Sequence, residues 1–161
     1  MKKNGIAIVS GLVGGVIGAT SMGKFSRNII EDRDKRIDKF KSYYNMLNQW
    51  LYIKQDNRNL EEYFKKNNYK RIAVYGLGEM GSRLVDELKN TEIEVVYGID
   101  KNIDNVFCDI TAYSVDDIED VSDKVDVVIV TAIFAYDEIE EQLNDILNCD
   151  IISLEEVVYD C

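Results

Sequence analysis

Three glycines and one acid carry the most specific chemistry in this sequence. Gly76-Leu77-Gly78-Glu79-Met80-Gly81 has the spacing G-x-G-x-x-G, and Asp100 follows 19 residues past Gly81. A glycine at the first position permits a tight turn. At the second it lets a phosphate approach the main chain, and at the third it lets a helix pack closely on a strand. A phosphate at such a turn rests on the unpaired N–H groups of a helix N-terminus, at the positive end of the helix dipole. The expected contacts are the main chain of Gly76, Leu77, Gly78, Glu79, Met80 and Gly81. Asp100 is expected to accept hydrogen bonds from ribose hydroxyls. Its charge would repel a 2′-phosphate and favour NAD over NADP, although Lys101 beside it weakens that inference. The same glycines also suit a turn that holds no ligand, and their spacing alone does not separate the two readings.

That chemistry needs a strand before the turn, a helix after it and a second strand ending in the acid. Each is present as a pattern. Ile72-Ala73-Val74-Tyr75 is a short apolar run of the kind that fills a strand buried on both faces. Met80, Leu84, Val85 and Leu88 lie on one face of a helix, and Ile93 to Ile99 reads as a strand running into Asp100. The alternation continues with a short strand at 110–113, the run Val125 to Thr131, a helix carrying Ile139, Leu143 and Leu147, and a last strand over 149–153. Ser114 and Ser153 each precede an acid by three residues, the signature of a helix start. The expected fold class is α/β: a small doubly wound parallel sheet of five strands in the order 3-2-1-4-5, preceded by a transmembrane helix and a long amphipathic helix. In such a sheet the segment 131–136 lines the crevice at the switch point, with Thr131 and Tyr136 as its polar candidates.

The composition removes several catalytic classes. The 161 residues contain no histidine, so neither a Ser-His nor a Cys-His nucleophile pair can form. Cys108, Cys149 and Cys161 form no C-x-x-C pair, which disfavours a zinc site and a disulfide framework. Carboxylates around Cys108 would raise its pKa rather than activate it. No catalytic residue is assigned, and no metal is expected.

Charge is divided along the chain. Residues 1–70 hold fourteen Lys/Arg against seven Asp/Glu, whereas residues 71–161 hold five against twenty-three. The acidic part would repel nucleic acid, and the basic part suits an anionic membrane surface. Residues 5–23 carry no charge, close to the roughly 20 residues that cross a bilayer. Ser10, Gly14 and Gly18, with Gly11, Gly15 and Ala19, form small-residue rows that let helices approach within lipid. A cleaved signal peptide shares the basic start and the apolar stretch. The basic flank from Lys24 to Lys41 instead favours an anchor with its C-terminal part in the cytoplasm.

Between anchor and sheet, Ile30, Ile37, Tyr44 and Leu51 recur every seven residues, with Phe40 and Leu47 between them and Arg33 interrupting. This pattern suits a coiled-coil pair or an amphipathic helix docked on its own domain. Trp50, Met46, Tyr43 and Ile53 broaden the apolar face, which favours docking over 43–53. Asn59 and its neighbours make a polar break, Leu60, Tyr63 and Phe64 mark a short helix, and Asn67-Asn68 ends it. The expected divisions are an anchor over 1–23, a helical stalk and connector over 24–69, and a nucleotide-binding domain over 70–161.

The stretch from Lys70 through Arg-Ile-Ala-Val-Tyr-Gly-Leu-Gly-Glu-Met-Gly to Lys89, with Val-Val-Tyr-Gly-Ile-Asp after it, resembles Rossmann-like nucleotide-binding domains of bacterial surface-polysaccharide pathways. Among these are CoA-binding-like segments of membrane-anchored sugar transferases and the small domain before some sugar-modifying acetyltransferases. The resemblance spans about residues 70–161, and the catalytic modules of those proteins have no counterpart here. It implies a non-catalytic module holding NAD or a nucleotide-sugar. Two alternatives stay open: an oxidoreductase or epimerase completed by a partner, and a scaffold that binds nothing. The expected partners are the membrane, through residues 5–23, and a second copy of the chain.

Overall fold

The computed structural model describes residues 33, 36–103, 110–121 and 124–161. The proposed anchor and Cys108 lie outside them. Among the described residues no helix is long and apolar enough to cross a membrane.

Residues 36–55 form one helix, α1. A compact unit begins within it, at Asn45, and runs to Cys161. The elements of that unit are α2 (Glu61–Lys66), β1 (Arg71–Tyr75), α3 (Glu79–Leu88), β2 (Glu94–Ile99), β3 (Ala112–Tyr113), β4 (Val127–Val130), α4 (Tyr136–Asn144), β5 (Asp150–Ser153) and α5 (Leu154–Tyr159). Two 3-10 segments, Val115–Asp120 and Ile133–Ala135, precede β4 and α4. The five strands form one parallel sheet in the order β3-β2-β1-β4-β5. This is the expected doubly wound order, and it puts β1 at the centre, with Tyr75 registered on Ile99 of β2 and on Val130 of β4.

Every residue of β4 is buried, as are Ile72 to Tyr75 of β1, because helices cover both faces of the sheet. Alternate side chains define the two faces. Ala73, Tyr75, Tyr97, Ile99, Val128 and Val130 pack with Val115 and Ile118 of the first 3-10 segment and with Ile139 and Leu143 of α4. Ile72, Val74 and Ile129 point the other way, towards the layer that holds α3.

In that layer the buried Met46, Trp50 and Ile53 recur at helical spacing on α1, so its last turns belong to the compact unit. One carboxylate ties three elements together. Glu87 of α3 accepts from Trp50 Nε1 at 2.8 Å and from the Leu60 N–H at 2.9 Å, with Lys54 Nζ 3.3 Å away. Tyr63 of α2 donates to Glu156 of α5 at 2.9 Å. Local signals act as their chemistry requires. Asn68 reverses the chain after α2 at φ 61°, and Ser153 caps α5 by accepting from the Glu155 N–H. Ser114 differs: its hydroxyl donates to Asp117 at 2.6 Å, caps no amide, and a 3-10 segment follows.

Candidate functional site at the glycine turn

β1 ends at Tyr75, and Gly76 turns the chain at φ +86°, a left-handed conformation that glycine adopts without steric penalty. The turn is held from both neighbouring strands. The Gly76 N–H donates to Ile99 O at 2.8 Å, and the Thr131 N–H donates to Tyr75 O at 2.9 Å. The buried Thr131 hydroxyl lies 2.7 Å from Gly76 O and 3.1 Å from Tyr75 O, donating to one at a time. A Cβ on residue 76 would come within 2.7 Å of that hydroxyl oxygen.

The other two glycines have different surroundings. Gly81 is buried in the first turn of α3, and a Cβ there would collide with the carbonyl oxygen of Gly76. Bare helix backbone against bare turn backbone is what sets α3 down on β1. Gly78 is the N-cap of α3, with φ −70° and ψ −158°, a conformation open to any residue. A Cβ there would meet nothing within 4 Å. Gly78 and Glu79 are exposed and Met80 is half-buried. No side chain caps this helix. Its first amides lie at the C-terminal edge of the sheet, without a side-chain cap and unpaired within the helix.

The two residues expected beside the cradle divide its amides. Leu77 turns its side chain into the core, directly over Gly98 of β2, where a Cβ would fall within 2.9 Å of Leu77 Cγ. Its N–H donates to Asp100 Oδ2 at 2.7 Å, and Asp100 Oδ1 accepts from the Asn102 N–H at 2.8 Å. Asp100 thus first braces the glycine turn against β2. The amides left to an incoming anion are those of Gly78, Glu79 and Met80. Each carboxylate oxygen of Asp100 keeps a second lone pair, so ribose hydroxyls still find acceptors. Lys101 is exposed beside it. The only charged residue in the first turn of α3 is Glu79, so an anion there depends on main-chain N–H groups and the helix dipole.

Both polar candidates after β4 are engaged inside the protein. Thr131 holds the turn as described. The Tyr136 hydroxyl lies 2.8 Å from both Glu140 Oε1 and Ile151 O, and burial followed by the Glu140 carboxylate pushes its pKa upward. Tyr75 behaves differently. Its hydroxyl is buried on the face opposite α3 without a hydrogen-bond partner, and its pKa is raised by burial and then by the charge of Asp100. Gly98, Thr131 as a brace and Glu87 escape the sequence pattern. Of these only Gly98 left a trace, a glycine inside a strand, which marks close approach by another group.

A family model described as C2185-like, N-terminal, matches residues 68–152, more than half of the chain. The chain belongs to this family. The matched span runs from the residues just before β1 into β5, so it contains the whole glycine turn, Asp100 and Thr131. No curated protein matches the chain at a significant level.

Among the described residues, no three His, Cys, Asp or Glu side chains gather as a metal site. Burial raises the pKa of both the Cys149 and Cys161 thiols, which leaves them protonated at neutral pH and poor nucleophiles.

Proposed function

We propose that this chain is a membrane-anchored, non-catalytic module that binds a dinucleotide or nucleotide-sugar at the turn 76–81, accessory to bacterial surface-polysaccharide synthesis. One observation carries the binding reading. Gly76 and Gly81 are glycines for reasons internal to the fold: a left-handed φ at the first and a backbone collision at the second. Gly78 has no such reason. Its backbone suits any residue, its Cβ would stand in open space, and a serine or aspartate would cap α3 better. A bare backbone beside unpaired amides is what an approaching phosphate requires.

The residues fit a phosphate-bearing ligand on that ground. Gly78, Glu79 and Met80 would hold its phosphate through their N–H groups, and Asp100 would accept from a sugar hydroxyl. NAD would supply a hydride acceptor there, and a nucleotide-sugar an activated glycosyl group. The anchor and the polysaccharide setting rest on the uncharged residues 5–23 and on the resemblance of 70–161. A ligand-free scaffold is the second reading, favoured by the Asp100–Leu77 bond, which takes one amide out of the cradle.

A thermal-shift panel of NAD, NADP, UDP-sugars and CoA separates the two. A ligand at 100 times its Kd adds about 2.7 kcal/mol to the stability of the folded state. The proposal expects a shift with at least one nucleotide, abolished in Gly78→Val, whose own melting point stays near that of the wild type. No shift with any member of the panel would favour the scaffold.

A further inference from the structure

Helix α1 carries two apolar stripes, and only one is covered. Met46, Trp50 and Ile53 are buried in the compact unit. Ile37, Phe40, Tyr44, Leu47 and Leu51 are not: they are 61, 75, 66, 36 and 54% exposed. Their spacing alternates strictly between three and four residues, the 3.5-residue repeat by which a helix presents a straight seam to another helix. Arg33 and Lys54 stand at the next positions of the same repeat and bound the stripe at its two ends.

We infer that this stripe is the contact surface for a second copy of the chain, joined through a short two-stranded coiled coil of the two α1 helices. The area argues for it. Aromatic side chains carry about 150–250 Å² each and aliphatic ones somewhat less, so five at these exposures present on the order of 600 Å². Two copies facing each other cover about 1,200 Å², the lower bound for a specific interface. An apolar patch of this size lies at the top of the range for the largest patch of a monomer, where such patches mark interaction sites. The seam also favours an identical helix as occupant. A 3-4 repeat matches another 3-4 repeat along its whole length, and α1 supplies one from each copy. At its C-terminal end, Leu47 and Leu51 wall a groove of about 440 Å³ whose far side is Arg83 and Asp86 of α3, leaving room beside the seam. None of this depends on the nucleotide reading.

The test is the mass of the full chain in detergent micelles by sedimentation equilibrium, for the wild type and for the double variant Phe40→Glu/Leu47→Glu. Both side chains lie outside the core, so the variant should keep the wild-type melting point and circular dichroism. The inference expects a wild-type dimer and a monomeric variant. Tyr44 is the middle residue of the stripe and meets its counterpart whichever way the helices run. Tyr44→Cys, with the three native cysteines changed to serine, should therefore cross-link to itself with a short bis-maleimide, while Asp38→Cys in the same background should not. A variant that keeps the wild-type mass would assign association to another surface, such as the small-residue rows of 5–23, and overturn the inference. So would a wild type that stays monomeric at high micromolar concentration, or one whose stripe instead binds anionic vesicles as a monomer.

Discussion

Alanine placed at residue 81 should destabilise the protein and at residue 78 should leave its stability nearly unchanged, although both replace a glycine at the same helix start. At 81 the new methyl would strike the Gly76 carbonyl oxygen, with Gly76 C at 3.1 Å and Val74 Cγ1 at 3.5 Å. Two of these atoms are main chain, so the strain is not relieved by a rotamer change; α3 must lift off β1 or the turn must distort. Overpacking of this kind costs about 1–3 kcal/mol, and a rigid backbone neighbour places it at the upper end. Alanine's better helix propensity returns up to about 1 kcal/mol. The expected net loss is roughly 2 kcal/mol, or about 8 °C in Tm for a unit of this size. At 78 the methyl enters open space at an unstrained φ. Restricting the unfolded chain adds about 0.4–1 kcal/mol, and the poorer cap removes a similar amount. The net change should stay within about 0.5 kcal/mol. Urea denaturation of both variants, followed by circular dichroism, measures the difference. A Gly81→Ala protein as stable as the wild type would refute the close packing of helix on turn. A Gly78→Ala protein that loses 2 kcal/mol would show that Gly78 has a structural reason of its own, and the argument for a ligand there would fall with it.

Two other perturbations test the scaffold around the turn. Glu87→Ala strands the Trp50 and Leu60 N–H donors in a largely buried place, so about 3–5 kcal/mol should be lost, with a changed emission from Trp50, the single tryptophan of the chain. Asp126 accepts from the main-chain N–H groups of Arg71 at 2.9 Å and Lys70 at 2.7 Å, which hold its carboxyl below the usual range. A depressed folded-state pKa contributes stability above the unfolded value of about 3.9, lost as pH falls through the folded value. Acid titration of Asp126→Asn should therefore show a shallower loss of stability below about pH 4 than the wild type, and an unchanged slope would remove Asp126 from the account.

The sheet was legible because its signals are local and continuous. The run Val127 to Val130, short and wholly β-branched, reads as a strand covered on both faces, and the glycine spacing with Asp100 after it indicates how the first three elements meet. Strand order followed from the alternation of elements. What stayed hidden depends on groups far apart in sequence. Nothing around Asp100 signals that its carboxylate reaches back to Leu77, and nothing around Thr131 signals a brace for Gly76. Glu87 looks like any exposed helix acid until Trp50 and Leu60 are brought against it. Helix α1 was legible in part: Met46, Trp50 and Ile53 dock as the broad apolar face over 43–53 suggested, but the division of that face was hidden. Its docking residues and its seam residues interleave along one helix, so a single broad stripe in the sequence is two narrow ones in space, only one of them covered. The pattern at Ser114 misled because its hydroxyl bonds a side chain instead of a helix amide.

The most direct measurement is on the main-chain amides themselves. Titrating the ¹⁵N-labelled protein with NAD, a UDP-sugar and inorganic pyrophosphate should move the amide resonances of Gly78, Glu79 and Met80 first and furthest, while Leu77, bonded to Asp100, moves little. Resonances at 78–80 that stay fixed while other regions of the protein respond, or that stay fixed with every probe, would contradict a phosphate cradle at this turn.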